Sequence, residues 1–144
     1  MTGRPGTEGY TEEAAVLVER YESIAFADLH RRLLPLFPAA PSRILDIGAG
    51  TGRDAAALAR LGHAVTAVEP TSGLREAGMR LHPSPNIEWI DDGLPELGRL
   101  NRRDGHYDLV LLTAVLMHLD AEERRAAMPR LASLIRAGGL MMIS

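Results

Sequence analysis

The stretch ILDIGAGTGRDAAALAR (Ile44–Arg60) decides the fold. Its first part, Ile44 to Ile47, is a short apolar run of strand length, and its last part, Asp54 to Arg60, is an alanine-rich helix. Between them Gly48, Gly50 and Gly52 make a strand-to-helix turn. Such a turn calls for residues without Cβ, for the tight backbone path and so that a ligand can lie directly against the chain. Outward from it the same alternation continues. Ala64–Val68, Ile87–Ile90, Tyr107–Leu112 and Leu140–Ile143 read as strands, and Gly52–Leu61, Ser72–Leu81 and Ala121–Arg136 as helices, with a short turn or helix around Leu94–Leu100. Strands apolar on both faces, joined by helix-length crossovers, predict an α/β fold: a doubly wound, mainly parallel sheet of about five strands.

Upstream, Thr11–Phe37 carries apolar residues at helical spacing and predicts one helix, or two broken near Ser23. Pro35, Pro38 and Pro41 then end helical structure. The expected division is a helical cap over residues 1–41 and a core over residues 42–144.

Composition removes several chemistries. The chain has 144 residues, 46% of them hydrophobic, enough for one core and one site. It has no cysteine, so a disulfide, a thiolate nucleophile and a cysteine metal site are excluded. Every cationic side chain other than histidine is arginine, which excludes a Schiff base and the lysine of a phosphate-binding loop. The five histidines show no i, i+4 pair for a metal. A net charge of −3 speaks against nucleic acid as partner. There is no apolar run of membrane-spanning length and no secretory-signal pattern in Met1–Gly9, so no membrane partner and a cytoplasmic location are expected.

Three elements converge on one edge of the expected sheet. The first is the glycine turn, whose bland reading is a tight connection; its third glycine comes one residue earlier than in dinucleotide-binding turns, where Arg53 stands instead. The second is Glu69, closing the second strand before Pro70, about twenty residues beyond the turn, where a carboxylate can accept from both hydroxyls of a ribose. The third is Asp91-Asp92-Gly93 after the third strand, where one carboxylate could accept from an adenine amine with Ile90 or Leu94 on the ring; the competing reading is a solvated turn. Ligands of open α/β sheets bind beyond the carboxyl ends of the strands, where all three fall.

With these motifs the chain resembles the class I (Rossmann-like) S-adenosylmethionine-dependent methyltransferases, small-molecule enzymes in particular. The resemblance rests on Leu45-Asp46-Ile47-Gly48-Ala49-Gly50-Thr51-Gly52, Glu69, Asp91-Asp92 and Tyr107-Asp108-Leu109-Val110, with His118-Leu119 and Arg136-Ala137-Gly138-Gly139 beyond, and covers Arg43–Ser144. It implies S-adenosylmethionine as cofactor, S-adenosylhomocysteine as product and a small-molecule methyl acceptor. By similarity, the backbone of Gly48 and Gly50, with Ala49 between them, would line the methionine portion. Asp46 would face its ammonium or sulfonium side, Glu69 with the adjoining Pro70 would hold the ribose, and Asp91 or Asp92 the adenine. Tyr10 or Tyr21 in the cap would approach the methionine carboxylate, which Arg53 could also reach.

Methyl transfer is an in-line displacement at an activated carbon, so alignment and exclusion of water are the protein's main tasks. If the acceptor must lose a proton, His118 is the candidate base; the competing reading is a structural histidine at a turn. Thr113 is a further candidate for touching substrate. The resemblance also implies a sixth strand and an antiparallel seventh that this sequence does not supply. The expectation is therefore a shortened core whose fifth strand is an apolar edge, available for homodimer formation. Two other functions are weighed: a non-catalytic cofactor-binding or assembly module, and an NAD(P)-dependent oxidoreductase, against which the glycine spacing argues.

Overall fold

The computed structural model describes residues 14–144, and one sheet organises them. Two short helices, α1 (Ala14–Glu22) and α2 (Phe26–Leu29), precede β1 (Arg43–Ile47). Then come α3 (Arg53–Arg60), β2 (Ala64–Val68), α4 (Ser72–Leu81) and β3 (Ile87–Ile90). The order closes with β4 (Tyr107–Leu112), α5 (Ala121–Leu134) and β5 (Ile135–Ile143). The sheet order is β3-β2-β1-β4-β5, every neighbouring pair is parallel, and helices cover both faces.

Strand alternation divides the core. Ile44, Val65, Leu109 and Leu111 pack on one face with Ala55, Leu58 and Phe26. Leu45, Ile47, Val110 and Leu112 pack on the other with Ala127, Leu131 and Leu134. Asp46 keeps the parity of Ile44 and so falls on the α3 side, at the carboxyl end of β1. A carboxylate thereby enters an otherwise apolar layer.

The expected strands agree with β1 to β4, and α4 matches residue for residue. The larger differences lie at the start of α3 and around the end of the last helix. Gly52, expected inside α3, has φ +82° and caps the helix from outside it, because the left-handed region cannot continue an α-helix. The last helix, expected to reach Arg136, ends at Leu134, and β5 starts at Ile135 and not at Leu140. Ile135 pairs with Tyr107, the chain bulges through Gly138 at φ +80°, and pairing resumes at Leu140 opposite Leu109. Arg136 bonds Asp108 across the bulge. The Arg-Ala-Gly-Gly run is therefore an interruption within a strand, where its glycines read as a loop.

Of the two alternatives, one helix or two broken near Ser23, the N-terminal segment takes the second, with a break after Glu22, but its second part is one helical turn followed by a short 3-10 turn at Leu34–Leu36. It is pinned to the core by α1 packing on α4 and α2 on α3. On the far side of the sheet, Leu140 and Ile143 of β5 are exposed.

Candidate functional site

Beyond the carboxyl ends of β1, β2 and β4 lies a cavity of about 530 Å³, within the range of small-molecule sites. Its central wall is the turn after β1, where Gly48, Gly50 and Gly52 have φ of +66°, +59° and +82°. At two of the three, neighbours also fill the space of a side chain. A Cβ on Gly48 would come within 2.7 Å of Val115 Cγ2, and one on Gly52 within 2.7 Å of Trp89 Cζ2. At Gly50 the nearest atom would be Tyr21 Cδ2 at 3.4 Å, so there the backbone conformation sets the requirement.

Glu69 holds this turn open. Gly50 N donates to its Oε1 at 2.8 Å and Thr71 N to its Oε2 at 2.9 Å. Burial pushes the carboxyl up, opposed by the amides of Thr71 and Gly50. Each oxygen keeps a further lone pair for a ligand, since an ionised carboxylate offers about four acceptor sites. Pro70 and Thr71 continue the wall.

Asp46 and Asp54 form the floor. Asp46 is 2% exposed, and its Oδ2 has no hydrogen-bond partner among the described residues. Burial, and after it the charges of Asp54 and Glu69, push its carboxyl well above the usual range, against the pull of Arg53. Asp54 goes the other way. Burial raises it, but the hydrogen bond from His30 and the charge of Arg53 outweigh burial and hold it low. His30 Nε2 donates to Asp54 Oδ2 at 2.9 Å, Arg53 Nε to Oδ1 at 3.0 Å and Thr113 Oγ1 to Oδ2 at 3.4 Å. The His30 ring packs in a three-ring cluster with Phe26 and Phe37, their centroids 4.9 and 5.9 Å away and 5.2 Å from each other.

Most residues singled out in the sequence come together here. Tyr21, Asp46, Gly48, Ala49, Gly50 and Arg53 line the cavity, as do Glu69 and Pro70 from the second strand end. Thr113 and His118 line it beyond β4. Arg53 also donates from Nη1 to Tyr21 O at 3.1 Å, tying α1 to the turn. Tyr10 lies outside the described residues.

Asp91 and Asp92, expected at the adenine end, directly precede the wall residues Gly93 and Leu94 and are not themselves part of the lining. Asp92 is buried and accepts from Gly93 N and Arg99 N, both at 2.8 Å, so its carboxylate organises the loop after β3. Asp91 pairs with Arg75 at 3.5 Å. That end is lined instead by Gly93, Leu94, Pro70 and Leu74. Ile90 is not on the wall either.

Residues that sequence reading missed are Asp54, Leu29, Val115 and, behind Asp54, His30. Asp54 carried a weak signal, an acid in a first helical turn, which ordinarily means only a favourable interaction with the helix dipole. His30 carried none, because its partner lies 24 residues away.

These residues have a cofactor's chemistry within reach. The unpartnered Asp46 Oδ2 and the ionised Asp54 suit a cationic group, Glu69 suits vicinal hydroxyls, and the glycine turn lets a ligand lie against backbone.

Residues 44–139 match the family model described as a methyltransferase domain. The chain is 31% identical over 121 residues to glycine N-methyltransferase of Homo sapiens, a match covering 70% of this chain and 39% of that protein. It is 31% identical over 102 residues to ubiquinone biosynthesis O-methyltransferase of Bradyrhizobium sp. (strain ORS 278), covering 71% and 39%. The matches thus span about two fifths of these curated relatives. Among solved structures, a TehB-like SAM-dependent methyltransferase of Corynebacterium glutamicum superposes with a TM-score of 0.72 at 22% identity, over 89% of this chain and 70% of that one. Phosphoethanolamine N-methyltransferase 1 of Haemonchus contortus, solved with phosphoethanolamine and S-adenosylhomocysteine, gives 0.66 at 19%, over 100% and 33%.

Proposed function

The chain belongs to the class I S-adenosylmethionine-dependent methyltransferases, whose domain model it matches, and from that premise we propose that it transfers a methyl group from S-adenosylmethionine to a small-molecule acceptor. The observation that carries the cofactor half of this reading is the contact of Glu69 with Gly50 N at 2.8 Å. It joins the two expected cofactor elements, an acidic strand end and a glycine turn, into one cavity wall.

The bound cofactor supplies a methyl group already activated as a sulfonium. The protein's residues then bind and align. The Glu69 carboxylate accepts from the ribose hydroxyls while its amide contacts keep it oriented. The backbone at Gly48–Gly50 carries the methionine portion, and Leu94, Pro70 and Leu74 enclose the adenine. Positioning of this kind is worth several kcal/mol of barrier in displacement chemistry, by order of magnitude. His118, exposed at the rim, takes the acceptor's proton where one must leave.

Support for a small acceptor comes from the confined space beyond β4, framed by Leu29, Val115 and Leu119 beside Thr113 and His118. The surface adds no broad basic field for a polyanion, since the net charge is −3. The test is to incubate the protein with methyl-labelled S-adenosylmethionine and a crude cell extract, then separate the extract by size. Label in the low-molecular-weight fraction is expected; label confined to protein or nucleic acid would overturn the small-acceptor reading.

A further inference from the structure

Four carboxylates line the cavity, Asp46, Asp54, Glu69 and Glu123, against one guanidinium, Arg53. That guanidinium is engaged: Nε donates to Asp54 Oδ1 at 3.0 Å and Nη1 to Tyr21 O at 3.1 Å. Against the upward push of burial, the hydrogen bond from His30 and the charge of Arg53 hold the Asp54 carboxyl low, so its negative charge offsets the positive charge of Arg53. Asp46, Glu69 and Glu123 are neutral or negative and never positive. His118 must be neutral to take a proton, so in that role it adds no cation at the rim.

The other anion-binding device of an α/β fold is the set of free N–H groups at a helix start. Here the chain's own acids occupy it. Asp54 stands in the first turn of α3. Thr71 N, at the start of α4, donates to Glu69 Oε2 at 2.9 Å. At the start of α5, Glu123 N donates to Asp120 Oδ1 at 2.7 Å and Asp120 N to Glu123 Oε1 at 3.0 Å. Arg124 lies outside the lining, its Nη1 donating to Leu119 O at 2.6 Å. Between these polar groups the wall beyond β4 is apolar, formed by Leu29, Val115 and Leu119.

We infer that the methyl acceptor has an apolar body and no anionic group, and that a carboxylate, phosphate or sulfate on a candidate acceptor is what this cavity rejects. The inference rests on the small-acceptor reading above and names its chemical class. It does not depend on how the cofactor lies. S-adenosylmethionine brings its own carboxylate, and in any orientation the lining among the described residues offers that group and the acceptor a single guanidinium between them. An anionic acceptor would be desolvated beside like charges with no counter-ion of its own, the arrangement that suppresses wrong partners. A hydroxyl or an amine meets no such opposition, because carboxylates accept from its donors.

The test uses the full chain with methyl-labelled S-adenosylmethionine and a crude cell extract, and keeps the labelled low-molecular-weight products that a heat-inactivated control lacks. These are applied to a strong anion exchanger at pH 8. A second portion is treated with mild base, which frees labelled methanol from a carboxylate methyl ester. The expected result is label in the flow-through, with about a tenth or less retained, and none volatile after base. A larger retained share, or volatile label, would overturn the inference and leave the small-acceptor reading standing, since the acceptor would then carry an anionic group. Absence of such labelled small products would overturn that reading and this inference with it.

Discussion

Replacing Asp46 with asparagine is expected to make the ligand-free protein more stable and a poorer binder. Asp46 is 2% exposed, and its Oδ2 has no hydrogen-bond partner among the described residues. Burial, Asp54 and Glu69 raise its carboxyl well above the ordinary range. A carboxyl whose folded pKa is raised binds its proton more tightly in the folded state. Its penalty is absent below the unfolded pKa of about 3.9, grows as pH rises from there to the folded pKa, and is constant above it. Each unit of elevation corresponds to about 1.4 kcal/mol. An asparagine keeps the shape, removes the charge and can donate to the carboxylates beside it. A buried polar group left unmatched costs about 1–3 kcal/mol. A gain of that order at pH 8 corresponds to a rise in Tm of roughly 2–10 °C for a domain of this size. Urea denaturation of wild type and Asp46→Asn at pH 5, 6.5 and 8 gives the comparison directly. The expected result is a stability gain that shrinks toward pH 5, together with weaker S-adenosylhomocysteine binding. A variant less stable than wild type at pH 8, or a difference unchanged from pH 5 to 8, would refute the assignment of Asp46 as a strained ligand-facing carboxylate.

Four further perturbations separate scaffold from site. Gly52→Ala should cost about 3 kcal/mol or more and lower Tm sharply, because a Cβ at φ +82° would stand 2.7 Å from the Trp89 ring. Gly50→Ala should cost only about 1–2 kcal/mol in urea denaturation, since its nearest neighbour would be 3.4 Å away and the φ penalty stands alone. Asp54 has its folded pKa held low, with burial outweighed by His30 and Arg53, so it contributes stability above the unfolded carboxylate pKa that is lost as pH falls through the folded value. His30→Leu should therefore reduce the stability difference between pH 7 and pH 3; an unchanged acid limb would contradict the pairing. Asp120→Ala should cost about 1 kcal/mol, read by thermal unfolding, because it removes the cap that accepts from Glu123 N at 2.7 Å.

What could be read in advance followed local periodicity, and what could not depended on contacts distant in sequence. β2, β3 and β4 are short apolar runs bounded by polar turns, so their limits were legible to the residue. Glu69 was legible because a strand end fixes where its side chain goes. Asp92 differs: it lies one residue further past its strand end than Glu69 does, and the amides of Gly93 and Arg99 occupy its carboxylate. The partners of Asp92 are loop amides, one of them seven residues on, which local periodicity does not reveal. β5 began early because a bulge lets Ile135 pair with Tyr107, which the glycines at 138 and 139 disguise as a turn. The His30–Asp54 pair was invisible for a similar reason: neither residue departs from what an ordinary amphipathic surface helix would carry.

The most direct test of the central claim is calorimetric titration of the wild-type chain with S-adenosylmethionine and S-adenosylhomocysteine beside Glu69→Ala. One site for each ligand is expected in the wild type. In the variant, affinity is expected to be lower by about tenfold or more, because Gly50 N and Thr71 N lose their acceptor and the ribose its partner. A folded wild-type chain that binds neither ligand, or a folded Glu69→Ala that binds both as tightly, would contradict it.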